Sequence, residues 1–155
     1  MPIEEGAAAP DFSLKTADGE TVTLSGLKGK IVVLYFYPKD DTPGCTTEAC
    51  SFRDNNEKLL AHEAIVLGVS PDDEKSHKKF VTKFDLTFPL LADIDHHVAD
   101  SYGVWAEKSM YGKTYFGNER TTFIIDKDGI IKKVFPKVKV TGHVEEVLAA
   151  IESMA

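Results

Sequence analysis

The chain has 155 residues, 43% hydrophobic and 28% charged, with a formal net charge of −7. A single domain over residues 1–155 suits that length and needs no disulfide staples. The acidic balance speaks against a nucleic-acid binder and against attraction to anionic lipid. No apolar run approaches the roughly 20 residues of a membrane span. The acids at Glu4 and Glu5 do not make a secretory leader, so the expected location is the cytoplasm.

In chain order, Phe12–Leu14 and Thr21–Leu24 read as strands, with Asp18-Gly19 as the hairpin turn between them. Ile31 to Tyr37 is a continuous β-branched and aromatic run, the pattern of a strand buried on both faces. Pro38 ends it, because proline cannot donate to a ladder. A polar loop, Lys39–Gly44, leads into a helix from Cys45 to about His62. Ala49, Phe52, Asn56, Leu59 and Leu60 are expected on its inner face. Ala64–Val69 is a second buried strand. Ser70 is expected to cap the next helix, with Pro71 in its first turn and Asp72 and Asp73 at its positive end. That helix runs to about Phe84.

Phe88–Leu91 is a short strand and Asp95–Tyr102 a short helix, its His96-His97 start read as solvated rather than metal-binding. Arg120–Ile125 and Ile130–Phe135 form a hairpin about Asp128-Gly129. A last helix covers Gly142–Met154, with Thr141 as its cap. Strands and helices alternate through the middle, and a hairpin plus helix closes the chain. The expected class is α/β: a mixed central sheet flanked by helices, in a thioredoxin-like arrangement with an N-terminal β-hairpin extension.

The chemistry concentrates at Tyr37-Pro38-Lys39-Asp40-Asp41-Thr42-Pro43-Gly44-Cys45. A buried strand ends, a proline- and glycine-bearing loop turns the chain, and a cysteine follows in the first turn of a helix. Unpaired N–H groups and the helix dipole favour the thiolate there, and the thiolate is the nucleophile. Thr42 can hydrogen-bond both the sulfur and an incoming oxygen, while Pro38 and Pro43 stiffen the loop. The second cysteine, Cys50, is five residues on. The five histidines supply no zinc-ligand spacing with this pair.

The signature of a proline, a threonine four residues later and a cysteine three further, here Pro38, Thr42 and Cys45, resembles the active site of the peroxiredoxins. The segment Phe36–Cys50 resembles their bacterioferritin comigratory protein, or peroxiredoxin Q, subfamily. So do Ala9-Pro10-Asp11-Phe12, Gly103-Val104-Trp105 and Arg120–Asp126. The resemblance implies a thiol peroxidase without cofactor or metal that reduces hydrogen peroxide and organic hydroperoxides. Cys45 would be the peroxidatic nucleophile, Cys50 the resolving thiol, and Arg120 a cation brought to the sulfur from a later strand. Glu48 matches a family acid, though a first-turn glutamate also simply suits a helix. Arg53, two turns beyond Cys45, is expected in a structural ion pair. Trp105, Phe84 and Phe88 are expected in the core.

The implied cycle takes Cys45 to a sulfenic acid, condenses it with Cys50, and returns both thiols through a thioredoxin-like dithiol. On an intact helix, Cα atoms five residues apart are roughly 8–9 Å apart, whereas a disulfide usually needs less than ~7 Å. Residues 45–50 must therefore unwind to form the bond, which Gly44 and the Thr46-Thr47 pair favour. No partner subunit is required, so a monomer is expected. A disulfide reductase would need Cys-x-x-Cys, and no histidine is placed to serve a cysteine hydrolase. A redox sensor or holdase chaperone using the same cysteines is the alternative.

Overall fold

The computed structural model describes residues 2–154. Nine strands and five α-helices follow in the order β1 (Ser13–Thr16), β2 (Thr21–Thr23), β3 (Ile31–Phe36), α1 (Pro43–Asp54), α2 (Asn56–Ala61), β4 (Ala64–Ser70), α3 (Glu74–Phe84), β5 (Leu90–Ala92), α4 (His97–Ser101), β6 (Trp105–Met110), β7 (Lys113–Asn118), β8 (Thr121–Ile125), β9 (Ile131–Phe135) and α5 (His143–Ser153). Seven strands make one mixed sheet in the order β2-β1-β5-β4-β3-β8-β9. The pairs β3–β4 and β4–β5 are parallel, while β3–β8, β8–β9, β1–β5 and β1–β2 are antiparallel.

The pattern of β3 explains its place. All six residues are buried, and their side chains alternate between two separate cores. Val33 and Tyr35 pack with Phe52 of α1, Leu59 of α2, Phe80 of α3 and Ile151 of α5. Val32, Leu34 and Phe36 pack with Leu14, Phe123 and Val98 of α4. Helices thus cover both faces, and the thioredoxin-like arrangement with its leading hairpin stands.

Several boundaries differ from expectation for local reasons. The helix expected from Cys45 to His62 breaks at Asn55, whose side chain bonds back to the Ser51 carbonyl at 2.8 Å. Beyond the break Leu60 faces solvent rather than the core, while Asn56 stays buried by donating to Thr87. Ser70 does not cap α3. It ends β4 and bonds Asp72, and Asp73 is the cap, accepting from the Ser76 amide at 2.8 Å. Thr141 does not cap α5; Gly142 does, at φ +76, a left-handed conformation that suits glycine. The β6–β7 ribbon lies outside the expected elements. It forms a separate two-stranded sheet turning at Tyr111-Gly112. Phe88 lies in the core and Phe84 packs against it, as expected.

Candidate active site

The site lies where β3 stops. The Thr42 carbonyl accepts the first helical bond, from the Thr46 amide at 2.8 Å, and Pro43 takes the first helical position. Cys45 therefore falls in the first turn of α1, 1% exposed. Register explains how Arg120 reaches it. Antiparallel pairing sets Thr121 opposite Phe36, so the residue before β8 arrives beside the residues after β3. Arg120 Nη2 donates to Cys45 Sγ at 3.3 Å, and Nη1 donates to Glu48 Oε1 at 2.7 Å. Gly44 leaves room for this approach, since a Cβ there would lie 3.1 Å from Arg120 Nη2.

Glu48 sits one turn after Cys45 and is 1% exposed. Burial pushes its carboxyl up to about 7, although the Arg120 charge pulls the other way. Its Oε2 has no hydrogen-bond partner, which is consistent with burial prevailing over a one-sided ion pair. Burial also opposes the charge on Arg120, but Glu48 and Cys45 outweigh it and raise the guanidinium above its ordinary value.

Thr42 differs in part from expectation. Its hydroxyl donates to the Lys39 carbonyl at 2.9 Å, and no bond from it to the sulfur is present. That donation leaves the oxygen's lone pairs available to accept. Pro38 is half-buried just past β3, where no bond is asked of its nitrogen. Cys50 is half-buried on the same unbroken helix, and both thiols are free. Arg53 makes the anticipated structural pair, with Asp54 at 2.9 Å, and also donates to the Phe84 carbonyl at 2.6 Å.

Two further residues join the site from the β6–β7 ribbon, and sequence reasoning misses both. Asn118 is buried and donates to the Tyr37 carbonyl at 3.1 Å, tying β7 to the end of β3. Lys108 donates to the Asn118 carbonyl; its own burial lowers its ammonium, with Glu119 and Cys45 acting in the opposite direction. No spacing in the sequence marks either one. Trp105 is partly buried and stacks on His96 with ring centroids 4.0 Å apart.

Among the described residues, Asp93, Asp95 and His97 form one group with metal-ligand spacing. Both Asp93 oxygens already cap α4, accepting from Val98 and Ala99 at 3.2 and 2.9 Å. The group is accounted for as a helix start.

A thioredoxin-type scaffold with a cysteine opening the helix after its central strand, and a guanidinium on that sulfur, defines a cysteine-dependent redox protein. Residues 6–134 match the AhpC/TSA family. The chain belongs to that family, as a peroxiredoxin of the Bcp/PrxQ kind, and is a thiol peroxidase. It is 52% identical to Peroxiredoxin Bcp of Bacillus subtilis, over 100% of this chain and 99% of that one. It is 47% identical to Peroxiredoxin Bcp of Escherichia coli, over 95% and 94%. Among solved structures, a mutant of Xylella fastidiosa PrxQ superposes with a TM-score of 0.94 at 37% identity, covering 99% and 98%. The bacterioferritin comigratory protein of Xanthomonas campestris gives 0.90 at 41%, covering 98% and 97%.

Proposed function

We propose that Cys45 is the peroxidatic nucleophile and Cys50 the resolving thiol, with Thr42, Pro38 and Arg120 completing the site. The observation that carries this reading is the 3.3 Å donation from Arg120 Nη2 to Cys45 Sγ at the first turn of α1. The Cys45 thiolate attacks one oxygen of the hydroperoxide and the O–O bond breaks. Sulfur gains the hydroxyl as a sulfenic acid, and the departing oxygen leaves as alkoxide or hydroxide and takes up a proton. Arg120 stabilises negative charge as it moves onto the leaving oxygen. Thr42 accepts from the hydroperoxide O–H, and Pro38 holds the loop against the strand end.

Cys50 then attacks the sulfenic sulfur, forming the Cys45–Cys50 disulfide and expelling water. A thioredoxin-type dithiol reduces it by exchange, itself becoming a disulfide. Because α1 is continuous through both cysteines, condensation requires its first turns to open. Alkyl peroxide reduction is described for the Xanthomonas campestris protein, and we extend organic hydroperoxides to this chain. Chain 1–155 is read as one catalytic domain, working as a monomer in the cytoplasm. No helix among the described residues is long and apolar enough to cross a membrane.

Peroxide-dependent NADPH consumption with thioredoxin and its reductase tests the scheme, together with intact mass. One equivalent of peroxide should remove two hydrogens from the wild type. In Cys50→Ala it should instead add one oxygen, and Cys45→Ser should show neither change nor turnover. Persistent turnover in Cys45→Ser would falsify the assignment.

A further inference from the structure

The loop between β3 and α1 is tied down far more heavily than a connection of six residues requires. Asp40 is 7% exposed, and its carboxylate meets Ser76 and His77 of α3. Oδ1 accepts from the Tyr37 hydroxyl at 2.5 Å. Oδ2 accepts from the Ser76 hydroxyl at 2.8 Å and lies 2.7 Å from His77 Nδ1. His77 is 0% exposed, and its Nε2 lies 3.0 Å from the Leu91 carbonyl of β5. A carbonyl can only accept, so Nε2 carries a proton. Nδ1 faces the Asp40 carboxylate and lies 3.5 Å from the Tyr37 hydroxyl, so both ring nitrogens have polar partners. Burial keeps the Tyr37 phenol well above its ordinary value, with the Asp40 charge adding to this, so the phenol is a donor.

The loop backbone is held too. The Asp40 amide donates to Asp72 Oδ2 at 2.8 Å. Asp41 adopts φ +54, a left-handed backbone that a non-glycine residue keeps where its surroundings impose it. Its carboxylate meets Lys83 Nζ at 2.8 Å. The far end of α1 is bound to the same helix, through Arg53 and the Phe84 carbonyl. Helix α3 thus grips the chain on both sides of the segment 42–52, inside which both cysteines lie.

We propose that Asp40 and His77 are positioning residues for the peroxidatic centre, bracing the loop 38–42 against α3 so that Thr42 and the first turn of α1 meet the hydroperoxide in a fixed geometry. The same brace is the stationary end from which α1 unwinds for disulfide formation, and Arg53 is its counterpart at the other end. The inference rests on the reading of Cys45 and Cys50 given above. Its chemical content is a separation of two steps. Sulfenic acid formation needs the braced loop, because Thr42 is placed by it. Condensation needs only the segment after Thr42 to open, so loosening the brace does not retard it.

Rapid-mixing kinetics on the full chain test this. In a Cys50→Ser background, Asp40→Asn and His77→Gln should each slow sulfenic acid formation at least about tenfold, the scale on which a misplaced reacting group acts. With Cys50 present, the later disulfide step should be no slower than in the wild type. A matched control, Val147→Ala in α5, lowers stability elsewhere and should leave the ratio of the two rates unchanged. Equal slowing of both steps, or no change in either, overturns the brace while leaving Cys45 as the nucleophile. Turnover surviving in Cys45→Ser would overturn the underlying assignment instead.

If the brace variants do not fold, the wild-type protein still decides through two amides. On forming the disulfide, the Thr46 amide, bonded to the Thr42 carbonyl, should lose its protection from hydrogen exchange. The Asp40 amide, bonded to Asp72, should keep its own. Equal loss at both would mean that the loop is no fixed end.

Discussion

Helices α1 and α5 pack against the same face of the same sheet, yet they are held by different forces. The inner face of α5 carries His143, Val144, Val147 and Ile151. The inner face of α1 carries Cys45, Glu48, Ala49 and Phe52. Only Phe52 offers much apolar area, stacking on Tyr35 at 4.7 Å and meeting Phe88 and His143 edge-on. The first two turns of α1 rest instead on the Arg120 contacts to Glu48 and Cys45. Hydrophobic burial is non-directional and persists through small shifts, whereas a buried ion pair loses its support once the geometry slips. A helix of the first kind stays put. The second kind can come apart at its beginning while its end stays anchored.

The largest effect expected from disturbing this contrast is at Arg120. Arg120→Met should lower the second-order rate of peroxide reduction about 10²- to 10³-fold, the scale of removing a preorganised donor to developing charge. Single-turnover measurement in a Cys50→Ser background checks it. A loss below about threefold would mean that α1 holds its reactive geometry without the guanidinium.

Glu48 comes next, with a definite sign. Its carboxyl titrates near 7 when folded, against an ordinary 4.5. Between those values the folded chain binds more protons than the unfolded one, so stability falls as pH rises from about 4.5 to 7, then levels off. At about 1.4 kcal/mol per pH unit, the fall attributable to Glu48 is at most about 3–4 kcal/mol. Glu48→Gln should flatten that slope in denaturant titrations run across the interval. An unchanged slope would place the proton uptake elsewhere.

Val147→Ala in α5 should cost about 2 kcal/mol of global stability by emptying a packed site. It should leave the rate of Cys45–Cys50 disulfide formation unaltered. The smallest effect expected is at half-buried Thr46 and exposed Thr47. Replacing both with alanine should strengthen the first turns of α1 by about 1 kcal/mol of helix propensity and slow disulfide formation about fivefold. No slowing would show that the opening of α1 does not limit that step.

Much of this architecture is legible in the amino-acid sequence. The buried run Ile31–Tyr37 predicts a central strand, and Pro38 its end. Two Asp-Gly turns mark two hairpins, and a cysteine opening a helix marks the chemistry. What the sequence hides, it hides for physical reasons. The β6–β7 ribbon turns at Tyr111-Gly112, not at the Asn-Gly or Asp-Gly that hairpins favour. Four successive residues of β7 are exposed, so no alternation betrays it. Asn118 and Lys108 are hidden with it. The Asp40–His77 contact joins residues 37 apart through a fold, and no local pattern encodes such a pair. Ser70 has the chemistry of a cap, but β4 takes it first, because sheet pairing outranks a local preference.

The near-complete burial of Cys45 has a consequence for selectivity. With 1% of the residue open to solvent, a reagent is sorted by its size before its reactivity is ever tried. A slender oxidant can reach the sulfur while the helix is intact, whereas a bulky maleimide or a protein disulfide must wait for the helix to open. In the proposed cycle the same sulfur therefore offers two different doors, one as a thiolate to hydroperoxides in the folded state and another, once held in the disulfide, to macromolecular thiols in the opened one.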